Sequence, residues 1–239
     1  LFILNRNTMS DRYKYASMQK GEYNENSHFM INNHKEHNDN PDYWNILLKP
    51  IDDNKGVLQN TLALDFGCGH GRNVINMLNK NIFSGVDGVD ICDNHLGFFY
   101  DRIKETGHEG KSRYYVNNGV DLSILESETY SFVLSTIALQ HICVYETRFS
   151  LLSDIHRVLK PGGILSFQMG FGEGHPSAHA YHANIYEAHG TNSQNDVKVI
   201  DPQYIVDDLR RIGFNEIQYE IKNSFSDRHN QWIYVQCKK

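Results

Sequence analysis

The stretch Leu62-Ala63-Leu64-Asp65-Phe66-Gly67-Cys68-Gly69-His70-Gly71-Arg72 decides the fold class of this chain. From Thr61 to Phe66 it is a continuous apolar run apart from Asp65, as expected of a strand covered on both faces. Glycines at 67, 69 and 71 let the backbone turn tightly and approach a ligand with no Cβ in the way. Residues 72 to 80 read as a helix, whose first N–H groups lack intrahelical partners and face whatever sits over the turn. Strand, glycine turn and helix in that order mark a nucleotide-type site on a parallel sheet. The spacing is specific. A dinucleotide fingerprint has its third glycine three residues after the second, whereas here Gly71 follows directly on His70 and Arg72 holds the dinucleotide position.

Working outward, strands are expected at Gly85 to Asp90, Arg113 to Val116, Tyr130 to Thr136 and Ile164 to Met169. Between them, a helix capped by Asp93 carries Leu96, Phe99 and Ile103 on one face. A second helix, from about Glu146 to Leu159, buries Phe149, Leu152, Ile155 and Leu159 before Pro161-Gly162-Gly163 ends it. Asp201 caps and Pro202 opens a third, with Ile205, Leu209 and Ile212 inward and Gly213 as its stop. Glu216 to Ile221 and Trp232 to Cys237 alternate as an antiparallel edge pair. Alternating strands and helices joined by right-handed crossovers give an α/β, doubly wound sheet.

Four ordered segments resemble one family, the class I S-adenosylmethionine-dependent methyltransferases. Leu62 to Arg72 is similar to its acidic-plus-GxGxG turn, and Gly88-Val89-Asp90-Ile91 to the end of its second strand. Leu139-Gln140-His141-Ile142 is similar to the segment after its fourth strand, and Arg157-Val158-Leu159-Lys160-Pro161-Gly162-Gly163 to the turn before its fifth. The resemblance covers residues 55 to 239 and implies a seven-stranded, mostly parallel sheet of order 3-2-1-4-5-7-6 with the last strand antiparallel. Residues 1 to 54 are then a partly irregular N-terminal cap, and 170 to 200 a lid insertion. Pro41 to Leu48, with Asn40 as cap, is expected to be a short helix within an otherwise polar stretch.

The resemblance implies S-adenosylmethionine as cofactor, held outside the carboxyl ends of the strands. The backbone of Gly67, Cys68, Gly69 and Gly71 surrounds its methionine part, and Asp65 takes its ammonium. Asp90 accepts from both ribose hydroxyls, a bidentate geometry suited to a carboxylate. Ile91 packs on the adenine face. Asn118 stands where the family commonly has an acidic residue, with one oxygen to offer the adenine amino group, and Gly119 lets the backbone approach the ring. An Asx-turn with no ligand contact is the competing reading of Asn118. Ser135 closes the fourth strand beside the cofactor. His141 is the candidate catalytic side chain, as general base or cofactor contact, set against a structural histidine in a buried loop.

Between the fifth strand and Asp201 lie too many residues for a bare connection. There His175, His179, His182, Tyr186 and His189 fall at helix-compatible steps, read as a substrate-facing lid, a metal site or a solvated face. No carboxylate is interleaved at ligand spacing, so no metal is expected. The Asn/Asp-Pro-Pro-Tyr element of amino-directed DNA methyltransferases is lacking. The formal charge of −6 likewise argues against a nucleic-acid surface. No apolar run reaches the ~18 residues of a membrane span. Four cysteines without CxxC spacing suggest free thiols in a reducing cytoplasm. The expected activity is methyl transfer to a small-molecule acceptor. Its rivals are a non-catalytic adenosyl-ligand binder and, against the glycine spacing, a nicotinamide-dependent oxidoreductase. Oligomeric state is not legible.

Overall fold

The structure, a computed structural model, describes residues 6–25, 38–173, 178–190, 195–223 and 229–239. It opens on helix α1 (Arg6–Glu25). A π-helical turn (Tyr43–Leu47) and two short helices, α2 (Lys49–Asp53) and α3 (Lys55–Leu58), lead into β1 (Leu62–Phe66). Then come α4 (Arg72–Asn79), β2 (Gly85–Asp90), α5 (His95–Glu105), β3 (Tyr114–Val116) and β4 (Tyr130–Thr136). A 3-10 turn (Leu139–His141), α6 (Tyr145–Val158), β5 (Leu159–Phe171), β6 (His179–Ala180) and β7 (Val197–Lys198) follow. Helix α7 (Pro202–Ile212), β8 (Asn215–Asn223) and β9 (Gln231–Lys238) complete the chain.

The main sheet has seven strands in the order β3-β2-β1-β4-β5-β9-β8. The five strands from β3 to β5 are mutually parallel, and β9 runs antiparallel between β5 and β8. The expected seven-strand topology is therefore present. The small pair β6-β7 forms a separate two-stranded sheet. Alternation along each strand builds two cores. Leu64, Phe66 and Val133 face the α6–α7 layer, whereas Ala63, Phe132 and Leu134 face the layer of α4, α5 and the π-helical turn. Asp65 pairs in register with Gly88 and Leu134, so the ends of β1, β2 and β4 meet where strand order reverses. That is where ligands bind in open α/β sheets.

Several local expectations need correcting. Leu96 is 42% exposed, because the buried face of α5 is His95, Phe99 and Ile103. Asp93 does not cap α5 with its side chain; it pairs with Lys20 Nζ at 2.7 Å and accepts from Asn24 Nδ2 at 2.8 Å, both on α1. Helix α6 ends at Val158, and it buries Leu151, Leu152, Ile155 and Val158, leaving Phe149 half-buried. The Pro161-Gly162-Gly163 turn joins a strand already begun at Leu159, tied to the C-terminus by Gly162 N to Lys239 O at 3.0 Å. Helix α7 matches its signals: Asp201 Oδ1 accepts from Gln203 N at 2.9 Å, and Gly213 stops it at φ +115°.

The N-terminal part holds the largest departure. Residues 6–25 form one long helix where no apolar stripe is visible. Its buried face is Arg12, Tyr15, Ala16 and Gln19, at helical spacing but mostly polar. The helix is held by hydrogen bonds. Arg12 Nε donates to Thr147 Oγ1 at 3.0 Å and its Nη2 to Val120 O at 3.3 Å. Gln19 Nε2 donates to His141 O at 3.1 Å and its Oε1 accepts from Gly190 N at 2.8 Å. Helix α1 thus bridges the loops after β3 and β4 and the segment beyond β5.

Candidate functional site

Asp65 is fully buried at the end of β1. Its Oδ1 accepts from Asn73 Nδ2 at 3.0 Å, and the same amide donates to Thr136 Oγ1 at 3.2 Å. Asn73 is set in turn by the Tyr43 hydroxyl, which donates to its Oδ1 at 2.8 Å. Oδ2 of Asp65 has no hydrogen-bond partner. A buried carboxylate oxygen without a donor is costly, so it marks where a cationic or N–H group belongs. Burial pushes the Asp65 carboxyl up to about 7, against the opposing pull of Asn73 and Arg72.

The glycine turn adopts the left-handed conformations its composition allows, with φ of +74° at Gly67, +48° at Gly69 and +84° at Gly71. The N–H groups of its three glycines and of Cys68 are all bonded. Gly67 N and Cys68 N donate to Val89 O at 2.8 and 3.2 Å, Gly69 N to Asp90 Oδ2 at 2.8 Å, and Gly71 N to Cys68 O at 2.9 Å. The turn is laced to β2 instead, and it presents its Cα faces. Cys68 points away into the gap over Gly88, where its Sγ would lie 2.6 Å from an added Cβ.

Asp90 ends β2, 8% exposed, with Gly69 N on Oδ2 and Cys92 N on Oδ1 at 3.0 Å. Each oxygen keeps a second lone-pair site for a hydroxyl donor. Asn118 is exposed and built into an Asx-turn: its Oδ1 accepts from Val120 N at 2.8 Å and Asp121 N at 2.9 Å. The neighbouring Asn117 is buried with an unpartnered Oδ1. Gly119 sits at φ +74°, and a Cβ there would meet Ile91 Cδ1 at 2.5 Å and Ala16 Cβ at 2.7 Å. Ile91, Gly119 and helix α1 are therefore one packed wall. Ser135 is fully buried with an unpartnered Oγ.

After β4 the chain passes through Ile137 at φ +55°, a conformation that strains a β-branched residue, and enters the turn that carries His141. His141 is partly exposed, and its Nδ1 lies 2.5 Å from Asp196 Oδ1. Asp196 is fully buried, and its Oδ2 lies 3.2 Å from Nε2 of the buried His229. The two imidazoles hold the Asp196 carboxyl well below its ordinary range, despite burial. Tyr23 of α1 covers His141, with ring centroids 6.1 Å apart. Sequence reasoning found His141 and missed Asp196 and His229. They come from the insertion after β5 and the approach to β9, and no spacing links them.

The insertion does not form the helix that its histidine steps allowed. His179 lies in β6, while His182 and Tyr186 lie in turns. His182 packs edge-on against Tyr145, Tyr181 and Tyr204, at 5.0, 4.9 and 4.8 Å, on the α6–α7 side. Tyr186 meets Tyr15 of α1 at 6.5 Å. His175 lies outside the described residues. The four cysteines are buried free thiols, and no described helix is long and apolar enough to cross a membrane.

A doubly wound α/β sheet with a glycine turn and two acidic strand ends at its switch point defines a nucleotide-type binding fold. Residues 64–167 match the family model described as a methyltransferase domain. Over 123 residues the chain is 30% identical to thiol S-methyltransferase TMT1B of Mus musculus, covering 51% of this chain and 47% of the relative. The protein of that name from Rattus norvegicus aligns equally. The chain spans about half the length of the curated relatives it matches. Among solved structures, an S-adenosylmethionine-dependent methyltransferase from Mesorhizobium loti superposes with TM-score 0.59 at 15% identity, covering 85% of this chain and 100% of that one. Haemonchus contortus phosphoethanolamine N-methyltransferase 2 gives TM-score 0.58 at 18% identity, over 78% of this chain and 52% of that one. The [4+2]-cyclase SpnF gives TM-score 0.59 at 16% identity, over 80% and 78%. These three show the fold alone. The methyltransferase-domain match runs from β1 into β5, the parallel part of the sheet that carries the glycine turn, Asp65 and Asp90.

Proposed function

We propose that this protein transfers a methyl group from S-adenosylmethionine to a small-molecule acceptor. The observation that carries the reading is the orphaned, buried Oδ2 of Asp65 beside the glycine turn, one strand away from Asp90. Asp65 fits the cofactor's ammonium group and Asp90 its ribose hydroxyls, with Asn117 and Ser135 as further unpartnered polar atoms near the same strand ends. Gly119 and Ile91 make an apolar wall on that side. Bound S-adenosylmethionine supplies a methyl group already activated by its sulfonium charge, so the protein's task is alignment and exclusion of water. Helix α1 and residues 178–190 and 195–199 form the cover.

His141 receives the acceptor's proton. Asp196 accepts from Nδ1–H, which leaves Nε2 with a free lone pair as base, and His229 anchors the other oxygen of Asp196. A base is needed for an acceptor that arrives protonated, and a thiol is one. The mouse and rat relatives are described as thiol S-methyltransferases, so small thiols are the first acceptors to try.

S-adenosylhomocysteine is expected to bind in the micromolar range by titration calorimetry. Asp90→Ala weakens it by about a hundredfold, the loss of two charge-assisted hydrogen bonds of roughly 1.5 kcal/mol each. Absence of heat with both the methylated and the demethylated cofactor sinks the reading. With methyl-labelled cofactor and a thiol panel, His141→Ala lowers turnover by about a hundredfold and Asp196→Asn by a smaller factor. Both variants retain the wild-type affinity for S-adenosylhomocysteine. Unchanged turnover in His141→Ala removes the base from the mechanism.

A further inference from the structure

Behind Asp90, the turn into α5 brings together three buried groups of different chemistry. Asp90, Cys92 and His95 are 8%, 0% and 0% exposed, and one ligand atom from each lies within 4.8 Å of the others. His95 is the anomaly. Its ring is fully buried, yet neither Nδ1 nor Nε2 makes a hydrogen bond, and the nearest carboxylate oxygen, Asp90 Oδ1, is 4.0 Å from Nδ1. Burying an imidazole with both nitrogens unserved is unfavourable, and packing alone gives no return for it. The edge of His70 against its ring, 4.7 Å between centroids, satisfies neither nitrogen.

We propose that Asp90, Cys92 and His95 form a site for a zinc ion. Carboxylate, thiolate and imidazole are all zinc ligands, and one of each completes three corners of a tetrahedron with the fourth left to water. Zinc–ligand bonds of about 2.0–2.3 Å put ligand atoms roughly 3.3–3.8 Å apart, so side-chain rotations of about an ångström close the site. The surroundings hold the ligands in place. Tyr114 donates to Cys92 O at 2.5 Å, and Cys92 N donates to Asp90 Oδ1, which fixes the turn that carries all three. Binding converts the Cys92 thiol to a thiolate and releases its proton to solvent, leaving every oxidation state unchanged.

The site shares Asp90 with the ribose hydroxyls of the proposed function, and this part of the inference rests on that reading. A carboxylate that coordinates zinc has less to offer a hydroxyl, so metal and cofactor oppose each other. The chain then carries a metal-responsive brake on cofactor binding.

Cobalt(II) is the probe, titrated into the intact, metal-free protein. A thiolate-to-cobalt charge-transfer band with tetrahedral d–d bands should saturate at one equivalent and be bleached by zinc. The band should vanish in Cys92→Ser and persist in Cys68→Ser, which separates this thiol from its neighbour in the glycine turn. If Cys92→Ser does not fold by circular dichroism, His95→Gln serves in its place and should weaken cobalt binding at least tenfold, about 1.4 kcal/mol. No band, or one that survives in Cys92→Ser or is unaltered in His95→Gln, overturns the proposal. Saturating zinc should weaken S-adenosylhomocysteine binding by about tenfold or more. Unchanged or tightened affinity with the cobalt band present would refute the brake, whereas no cofactor binding either with or without metal would refute the proposed function and leave the metal site standing.

Discussion

Asp65→Asn abolishes cofactor binding at the concentrations that saturate the wild type, and with it the pH dependence of that binding. Among the described residues, Asp65 is the one fully buried carboxylate at the switch point with an oxygen left unpartnered. A charged ammonium on a buried carboxylate contributes about 3 kcal/mol, or more than a hundredfold in affinity. Asparagine keeps the shape, and its oxygen can still accept from Asn73, but it offers no charge. The pH behaviour follows from the raised value of about 7. In the unliganded protein the folded state holds this proton more tightly than the unfolded chain, whose aspartates titrate near ~3.9. Stability from this group is therefore greatest at low pH and declines as pH rises from about 4 to about 7. A bound ammonium favours the ionised form, so ligand binding near pH 6 releases a proton and tightens as pH rises toward neutrality. Calorimetry at pH 6 in two buffers of different ionisation heat reads that release directly. Buffer-independent heats in the wild type, or tight binding by Asp65→Asn, would show that the ammonium sits elsewhere.

The second large effect lies at Arg148, which is 1% exposed in α6. Its Nη1 donates to Ile142 O at 2.5 Å, and its Nη2 donates to Tyr181 O. The guanidinium lies over the Tyr181 ring at 4.6 Å from the centroid and over Tyr145 at 5.7 Å. No carboxylate pairs with it among the described residues. Two carbonyls and two ring faces compensate the charge instead, a use suited to the planar fork of arginine. Arg148 thereby ties the His141 turn to the start of the segment that carries Asp196. Arg148→Ala leaves one buried and one partly buried carbonyl unserved and a cavity beneath two tyrosines, so unfolding free energy should fall by about 3–5 kcal/mol. Urea unfolding of the two proteins measures this. Arg148→Lys should recover only part, since an ammonium cannot serve both carbonyls in the same plane. A loss below about 1 kcal/mol in Arg148→Ala would mean that the strap is not under load.

Much of the scaffold was legible because its signals are local. The glycine turn needs left-handed backbone angles, and only its sequence provides them cheaply. The doubly covered strands read as apolar runs, and Asp201, Pro202 and Gly213 bracket α7 by the chemistry of helix ends. Asp65 and Asp90 were placed correctly at adjacent strand ends because strand length and spacing fix those positions. The histidine steps of the insertion misled. A period of three and four is compatible with a helix but does not enforce one, and the segment spends its residues on β6, turns and contacts with α1, α6 and α7.

The sequence by itself determined the α/β class and the strand-end positions of Asp65 and Asp90, since these depend on periodicity, turn stereochemistry or spacing within one short stretch, whereas the strand order was implied by the family resemblance. Tertiary structure alone decided what covers the site. Helix α1 buries Arg12 and Gln19 through hydrogen bonds to α6 and to turns more than a hundred residues away, and no apolar periodicity records such a face. The His141–Asp196–His229 line joins three loops with no common period, because a hydrogen bond requires proximity in space and leaves no trace in chain order. For the same reason, the N–H groups of Gly67, Cys68 and Gly69 bind Val89 O and the Asp90 carboxylate on β2, which only the folded sheet brings within reach.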